Sequence, residues 1–369
     1  MKTNFVALTP EREVSIKTVI EGVNALPTLE EGVTQLCNQT KEERHVDLPL
    51  EFSELFMDDD GGIKIAGDDL TFQYTRHALN QAVIRIKPES VVGMAGYLAA
   101  CPPDLRSTNF NFWHQFYYGP DAERVTQNKV IMRTRFGEDG FPIIRAIMSQ
   151  SYVPVDDAPL LEQFMTVVAP GGHVRTARGD LRSRFDVFWP TMKQQLTRGE
   201  PVMVSMRLTN SETGVSSIRL EPAVYNTQLN SSIIIPATAD VAIRHIGEAH
   251  RRLVNAFEKA MDLVNPFMEM LNESYNDYVG ERFDTTEQLS DCLKRIFKLN
   301  ETTMLVLESE LQLGEAFTSC AWDGSRAGLV DALAKVANRM PIEEGEELQR
   351  AAGVLVMKGW KLLERVKNG

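Results

Sequence analysis

The stretch PVMVSMRLTNSETGVSSIRLEPAVYNTQLNSSIIIPATADVAIRHIG, residues 201–247, decides the fold, because within it the chain turns from a β-rich half to a helical one. Val202, Val204, Met206 and Leu208 alternate with Met203, Ser205, Arg207 and Thr209, the period of a half-buried strand. Asn210-Ser211-Glu212-Thr213-Gly214 follows. Its Asn and Ser side chains can bond their own backbone and its glycine can take a positive φ, so a hairpin is expected, then two further strands and a helix start. Asn210 is expected to close the turn. Glu212 is expected to pair with Arg244 or His245 and so tie the hairpin tip, with Gly214, to the first long helix. A buried pair of that kind fixes geometry without doing chemistry.

Upstream, residues 127–168 form a second local unit. QNKVIMRTRF and FPIIRAIMSQSY are β-rich runs separated by Gly137-Glu138-Asp139-Gly140, a hairpin signal. Val130, Met132, Thr134 and Phe136 share one face of the first run while Arg133 and Arg135 share the other. Arg145 alternates with Ile144 and Ala146 on the second. Asp156 and Asp157 then open a helix with acids at its positive end. Residues 170–198 carry Arg175, Arg178, Arg182 and Arg184 on two strands expected around Arg178-Gly179-Asp180.

Before these units lie a short strand from Ile63 to Ala66, a helix over TRHALNQAVIRI (75–86), a continuation from Val91 to Ala100, and a stop at Cys101-Pro102-Pro103, after which Asp104 caps a further segment from Leu105 to Tyr118. That segment, STNFNFWHQFYYGP, holds Phe110, Phe112, Trp113, Phe116 and Tyr117, whose helical spacing docks it on the core. The same rings beside Arg106 and His114 could instead stack unpaired bases. Asp58-Asp59-Asp60-Gly61-Gly62 has consecutive rather than alternating carboxylates, so a solvated turn is expected instead of a calcium loop. Beyond Ala239, Ile246, Ala249, Leu253, Ala256, Ala260, Val264, Phe267 and Leu271 form a helical seam that Pro266 should kink. Amphipathic helices are expected over 285–299, 301–317, 324–340 and 343–366.

The expected architecture is α+β: a central twisted antiparallel sheet with flanking helices, followed by a helical C-terminal region. Residues 1–62 read as an acidic N-terminal region, 63–238 as the α+β core domain and 239–369 as the helical domain. Of the net charge of −12, residues 1–120 contribute 10 basic and 17 acidic side chains and residues 221–369 contribute 16 and 23. The middle, 121–220, has 13 basic against 11 acidic, so a polyanion would bind there. Four scattered cysteines without a C-x-x-C pair imply reduced thiols and no metal framework. The first residues lack an apolar targeting core and no run approaches 18 apolar residues, so neither a signal peptide nor a membrane span is expected. No phosphate loop, dinucleotide fingerprint or nucleophile elbow is present, which argues against an ATP-driven motor.

At Asn210-Ser211-Glu212-Thr213-Gly214 and Arg244-His245-Ile246-Gly247 the chain resembles the phage/plasmid-like proteins grouped as domain-of-unknown-function family 932. The passage Ile144-Arg145-Ala146-Ile147-Met148-Ser149-Gln150-Ser151-Tyr152, with Pro154, Asp156 and Leu160-Leu161, is similar, as is the helix from Ala78 to Leu98. The likeness covers roughly residues 70 to 340. Where the family tends to have a Cys-Thr-Asn-Gly-like turn, this chain has Gln228-Leu229-Asn230-Ser231-Ser232. The resemblance implies a phage or plasmid setting and carries no established activity. The combination of helix, β-hairpin and basic residues on the sheet also looks like ring-forming single-strand annealing proteins.

The leading expectation is therefore an oligomeric single-stranded DNA-binding or annealing protein of the bacterial cytoplasm, needing no cofactor. Arg133, Arg135, Arg145, Arg175, Arg178, Arg182 and Arg184 would neutralise phosphates, with Trp113 or a neighbouring ring stacking bases. Two alternatives are an acidic interaction or decoy protein that binds a host protein, and a metal-dependent nuclease using unassigned carboxylates.

Overall fold

A computed structural model describes residues 20–86, 98, 100–119, 129–137, 139–168, 170–179, 181–196, 201–227, 229–236, 242–243, 249–311 and 322–368. The expected helix over 91–100 lies largely outside these residues, as do Arg244 and His245.

The described chain opens with helix α1 (Leu29–Glu43) and strands β1 (Val46–Glu51), β2 (Leu55–Met57), β3 (Ile63–Ile65) and β4 (Thr71–Tyr74). Helices α2 (Arg76–Ile86) and α3 (Pro103–Tyr118) follow, then the hairpin β5 (Lys129–Phe136) and β6 (Pro142–Ser149) and helix α4 (Asp157–Val167). Strands β7 (His173–Arg178), β8 (Ser183–Gln195), β9 (Pro201–Asn210), β10 (Ile218–Asn226), β11 (Ser231–Ile234) and β12 (Ala242–Ile243) complete the β-rich half. The rest is helical: α5 (Ala249–Asp262), α6 (Val264–Glu273), α7 (Thr286–Phe297), α8 (Glu301–Leu311), α9 (Arg326–Ala337), α10 (Ile342–Lys358) and α11 (Lys361–Lys367).

Local chemistry explains the ends of several elements. At α1 the Thr28 hydroxyl accepts from the Glu31 amide at 3.2 Å while the Glu31 carboxylate accepts from the Thr28 amide at 2.8 Å, a reciprocal cap. Pro103 occupies the first turn of α3, where its missing N–H is no loss. Pro266 lies near the start of α6 rather than inside one long helix, so the expected kink is a break between α5 and α6. The expected final helix is likewise divided, at Gly359, which has φ +59°.

The architecture is α+β with a helical C-terminal region, as the sequence leads one to expect, but its strands divide between two sheets. The first runs β1-β5-β6-β4-β3-β2 and includes one parallel pair, β4 with β6. The second runs β11-β10-β9-β8-β7, with β12 also pairing β10. The hairpin at 201–226 forms as expected, with Thr209 opposite Arg219 and Val202 opposite Asn226. Residues 46–57 supply β1 and β2 to the first sheet, so the acidic N-terminal segment is built into the fold there. Under the first sheet, Phe52, Leu55, Phe72, Leu79 and Phe110 form a core with α2 and α3. The second sheet shares one large core with α1, α4 and the C-terminal helices, running from Leu29 through Phe185, Leu208 and Leu333 to Leu363. The helical region is thus packed on the sheet without a core of its own.

Candidate functional site

The tip of the β9–β10 hairpin is where the two sheets meet. Asn210, Ser211, Glu212 and Thr213 are all buried there. From the first sheet, Arg145 on β6 donates to Glu212 Oε2 at 2.7 Å, and Arg133 on β5 donates to the Glu212 carbonyl at 2.9 Å. The backbone N–H of Asp157, at the start of α4, donates to Glu212 Oε1 at 3.0 Å. Tyr152 Oη donates to the Ser211 carbonyl at 3.1 Å, and Gln81 of α2 donates to the Thr213 carbonyl at 3.3 Å. Asn210 Nδ2 donates to the Val155 carbonyl and to Asp157 Oδ1, both at 2.9 Å. Gly214 has φ +75°, and a Cβ there would sit 3.1 Å from the Tyr152 ring, so conformation and space both call for glycine.

Glu212 therefore pairs with Arg145, with His45 Nδ1 4.0 Å away. The expected partners Arg244 and His245 lie outside the described residues. The pairing with Arg145 is topological: the hairpin tip points at the first sheet, whose Arg133 and Arg145 reach it. Burial alone would raise the Glu212 pKa, but the Arg145 guanidinium more than reverses this and holds it below the usual range. Asp157 goes the other way. Burial, then repulsion from Glu212, push it up to about 6, against the pull of Ser183, Asn210 and Arg178.

This junction removes two residues from the expected phosphate track. Arg133 is 3% exposed, donates to Asp47 at 2.7 Å and also bonds Asp156. Arg145 is 7% exposed. Both are internal cations already paired, Arg133 with the partly exposed Asp47 and Asp156 and Arg145 with the buried Glu212, because carboxylates distant in sequence converge on them. Arg135 is half-buried at the end of β5, and Arg175 lies with its guanidinium 5.3 Å above the Phe188 ring. Trp113 is half-buried on the core of the first sheet, edge-on to Phe112 and Phe116 at centroid distances of 5.3 and 6.1 Å. Those two neighbours are exposed, at 61% and 63%. His114 is buried with Nε2 2.8 Å from the Phe52 carbonyl, and burial lowers its pKa, as suits a neutral core histidine. Asp58 folds back to accept from the Gly62 amide at 2.7 Å and from Thr71 at 3.1 Å, closing a turn.

The other arginines do converge. Arg178 at the end of β7, Arg182 in the β7–β8 turn, Arg184 on β8, Arg219 on β10 and Arg350 on α10 line a cavity of about 290 Å³, together with Glu346. Strand pairing brings Arg184 opposite Thr209 and Arg219 opposite the same Thr209 from the other side, so adjacent strands deliver both to one end of the second sheet. Three of the five are held from behind. Arg178 reaches Asp157 at 3.3 Å and Glu43 at 3.4 Å. Arg184 reaches Asp186 at 3.1 Å and Glu346 at 3.5 Å. Arg350 grips both oxygens of Glu221, at 2.7 and 2.9 Å, and reaches Glu346 at 3.2 Å. Arg182 and Arg219 are exposed and have no ion pair among the described residues. Reasoning from sequence missed Arg219, Arg350 and Glu346, since only the packing of α10 against the second sheet unites them.

Among the described residues no group of three His, Cys, Asp or Glu side chains is arranged to hold a metal ion, and no helix is long and apolar enough to cross a membrane. Neither a scan of protein-family models nor searches of curated proteins and of solved structures finds a match to this chain.

Proposed function

We propose that the protein binds single-stranded DNA, and that it does so at the arginine-lined cavity of the second sheet rather than along the first. What carries this reading is the wall of the cavity: five arginines line one space, with Glu346 the one carboxylate among the described residues that line it. Planar guanidinium forks match phosphate oxygens in pairs, and Arg178, Arg184 and Arg350 are already oriented by the carboxylates behind them. Little ordering is left to perform on binding. Arg182 and Arg219 are exposed and have no ion pair among the described residues, so their guanidinium groups are open to a phosphate. The exposed side chain of Leu181, also on the wall, gives a base or sugar an apolar surface.

Holding DNA in this way requires no bond to be broken and no cofactor. Annealing as a homo-oligomer, in the cytoplasm of a bacterial host and in the phage or plasmid setting that the family resemblance implies, belongs to the same proposal. The test is fluorescence anisotropy of a labelled oligonucleotide across a salt series. Binding weakens as salt rises, and R182A/R219A flattens the plot of log K against log salt by about 1.4, two phosphate contacts at roughly 0.7 each. An absence of binding at 20–50 mM salt, roughly the low end at which phosphate contacts are strongest, refutes the reading.

A further inference from the structure

We infer that Glu346 occupies the seat of a ligand phosphate in the cavity, so that a strand binds by displacing this carboxylate from Arg184 and Arg350. The inference rests on the single-strand reading above and adds to it the group that controls access to the site.

Position is the first ground. Glu346 lies near the start of α10, its side chain 9% exposed, and lines the cavity together with Arg184 and Arg350. One of its carboxylate oxygens reaches Arg184 at 3.5 Å and the other reaches Arg350 at 3.2 Å. Arginines that share the oxygens of one carboxylate are placed to share the oxygens of a phosphate in the same way. Two levels of structure build the arrangement. Arg350 follows Glu346 by one helical turn, and the docking of α10 then carries that pair to Arg184 on β8.

Redundancy is the second ground. Each of the two arginines has another carboxylate, and that one is closer. Arg184 Nε lies 3.1 Å from Asp186, and Arg350 grips both oxygens of Glu221 at 2.7 and 2.9 Å. Asp186 and Glu221 stand behind the cavity wall and aim the guanidinium groups, whereas Glu346 is on the wall itself. Its contacts are the longest that either arginine makes to a carboxylate, so both arginines keep their orientation when it turns away. A phosphate close enough to take two hydrogen bonds from this pair repels the Glu346 carboxylate at contact distance, and the two anions exclude one another. The ligand therefore gains only the difference between its own contacts and those that it replaces.

The experiment compares the full-length wild type with E346Q and E221Q, reading affinity for labelled single-stranded oligothymidine by anisotropy at low salt. E346Q binds at least about fivefold more tightly than wild type, the factor that one unit charge about 4 Å away makes even under the screening of bulk water. E221Q binds no more tightly than wild type, because Glu221 aims Arg350 and does not compete for the seat. Equal or weaker binding by E346Q overturns the inference and leaves single-strand binding standing, since Glu346 then only positions its arginines. Tightening by both variants also overturns it, because the loss of any nearby negative charge then suffices. Melting temperatures are recorded alongside, and E346A takes the place of E346Q if that variant does not fold. If neither wild type nor E346Q binds the oligonucleotide, the single-strand reading falls and inorganic phosphate decides the inference alone. A larger phosphate-induced rise in melting temperature for E346Q than for wild type then sustains it, and equal rises overturn it.

Discussion

Replacing Glu212 by Gln tests whether the hairpin tip is a structural lock. The Glu212 side chain is 2% exposed and that of its partner Arg145 is 8% exposed, at 2.7 Å. Removing one partner of a buried pair costs about 3–5 kcal/mol, because the other charge is stranded away from water. Gln keeps the volume and one acceptor oxygen, which places the loss near the lower bound, about 3 kcal/mol. In a chain of this size each kcal/mol lowers the melting temperature by roughly 2 °C, so E212Q melts about 6 °C lower. Calorimetry gives the shift. A cycle with R145M separates the pair from its surroundings: the double variant loses less than the sum of the single losses, by about 1–3 kcal/mol. An unchanged melting temperature in E212Q, together with lost oligonucleotide binding, would refute the reasoning and move Glu212 into the binding site.

Three further predictions follow from neighbouring geometry. A Cβ on Gly353 of α10 would lie 1.7 Å from the Ile234 carbonyl oxygen, so G353A must prise the helix from β11 and loses about 3 kcal/mol or more; soluble yield and melting temperature report it, and a wild-type melt contradicts the packing. Asp157, raised from 3.8 to about 6, binds its proton in the native state before the unfolded chain does. Its contribution to stability therefore grows as pH falls from 7.5 to about 5, on the order of 1 kcal/mol, whereas the depressed Glu212 contributes stability that is lost only as pH falls below its ordinary 4.5. Urea melts across that range should show the gain in the wild type and a flatter profile in D157N; the same profile in both would assign the pH dependence to another group. G214A, forced to φ +75° against Tyr152, loses about 1–2 kcal/mol by denaturant titration, and no loss would mean that the tip relaxes freely.

What was legible in the sequence is what short-range periodicity encodes. The β9–β10 hairpin follows from strict alternation around Asn210 and Gly214, the β5–β6 hairpin from two apolar runs around a glycine-flanked turn, and α3 from its aromatic spacing after the stop at Cys101-Pro102-Pro103. Strand β1 escaped notice because it is six residues long and contains Pro49, a residue that suits an edge strand but argues against strand on pattern alone. Arg133 and Arg145 read as one solvated face of a sheet because their counter-charges, Asp47, Asp156 and Glu212, come from three other parts of the chain. Alternation tells which side chains share a face, and only tertiary packing tells whether that face meets water or another sheet. The same limit applied to the cavity. Arg178, Arg182 and Arg184 stood out as a local basic run, whereas Arg219 and Arg350 join them only through strand pairing and the docking of α10.

Hydrogen exchange followed by mass spectrometry, with and without a saturating oligonucleotide, maps where the nucleic acid sits. The account predicts slowed exchange in peptides covering residues 177–184 and 216–220 and in the first half of α10, with no change over α3. Protection confined to the exposed aromatic face of α3, with the arginine-lined cavity unaffected, would contradict it.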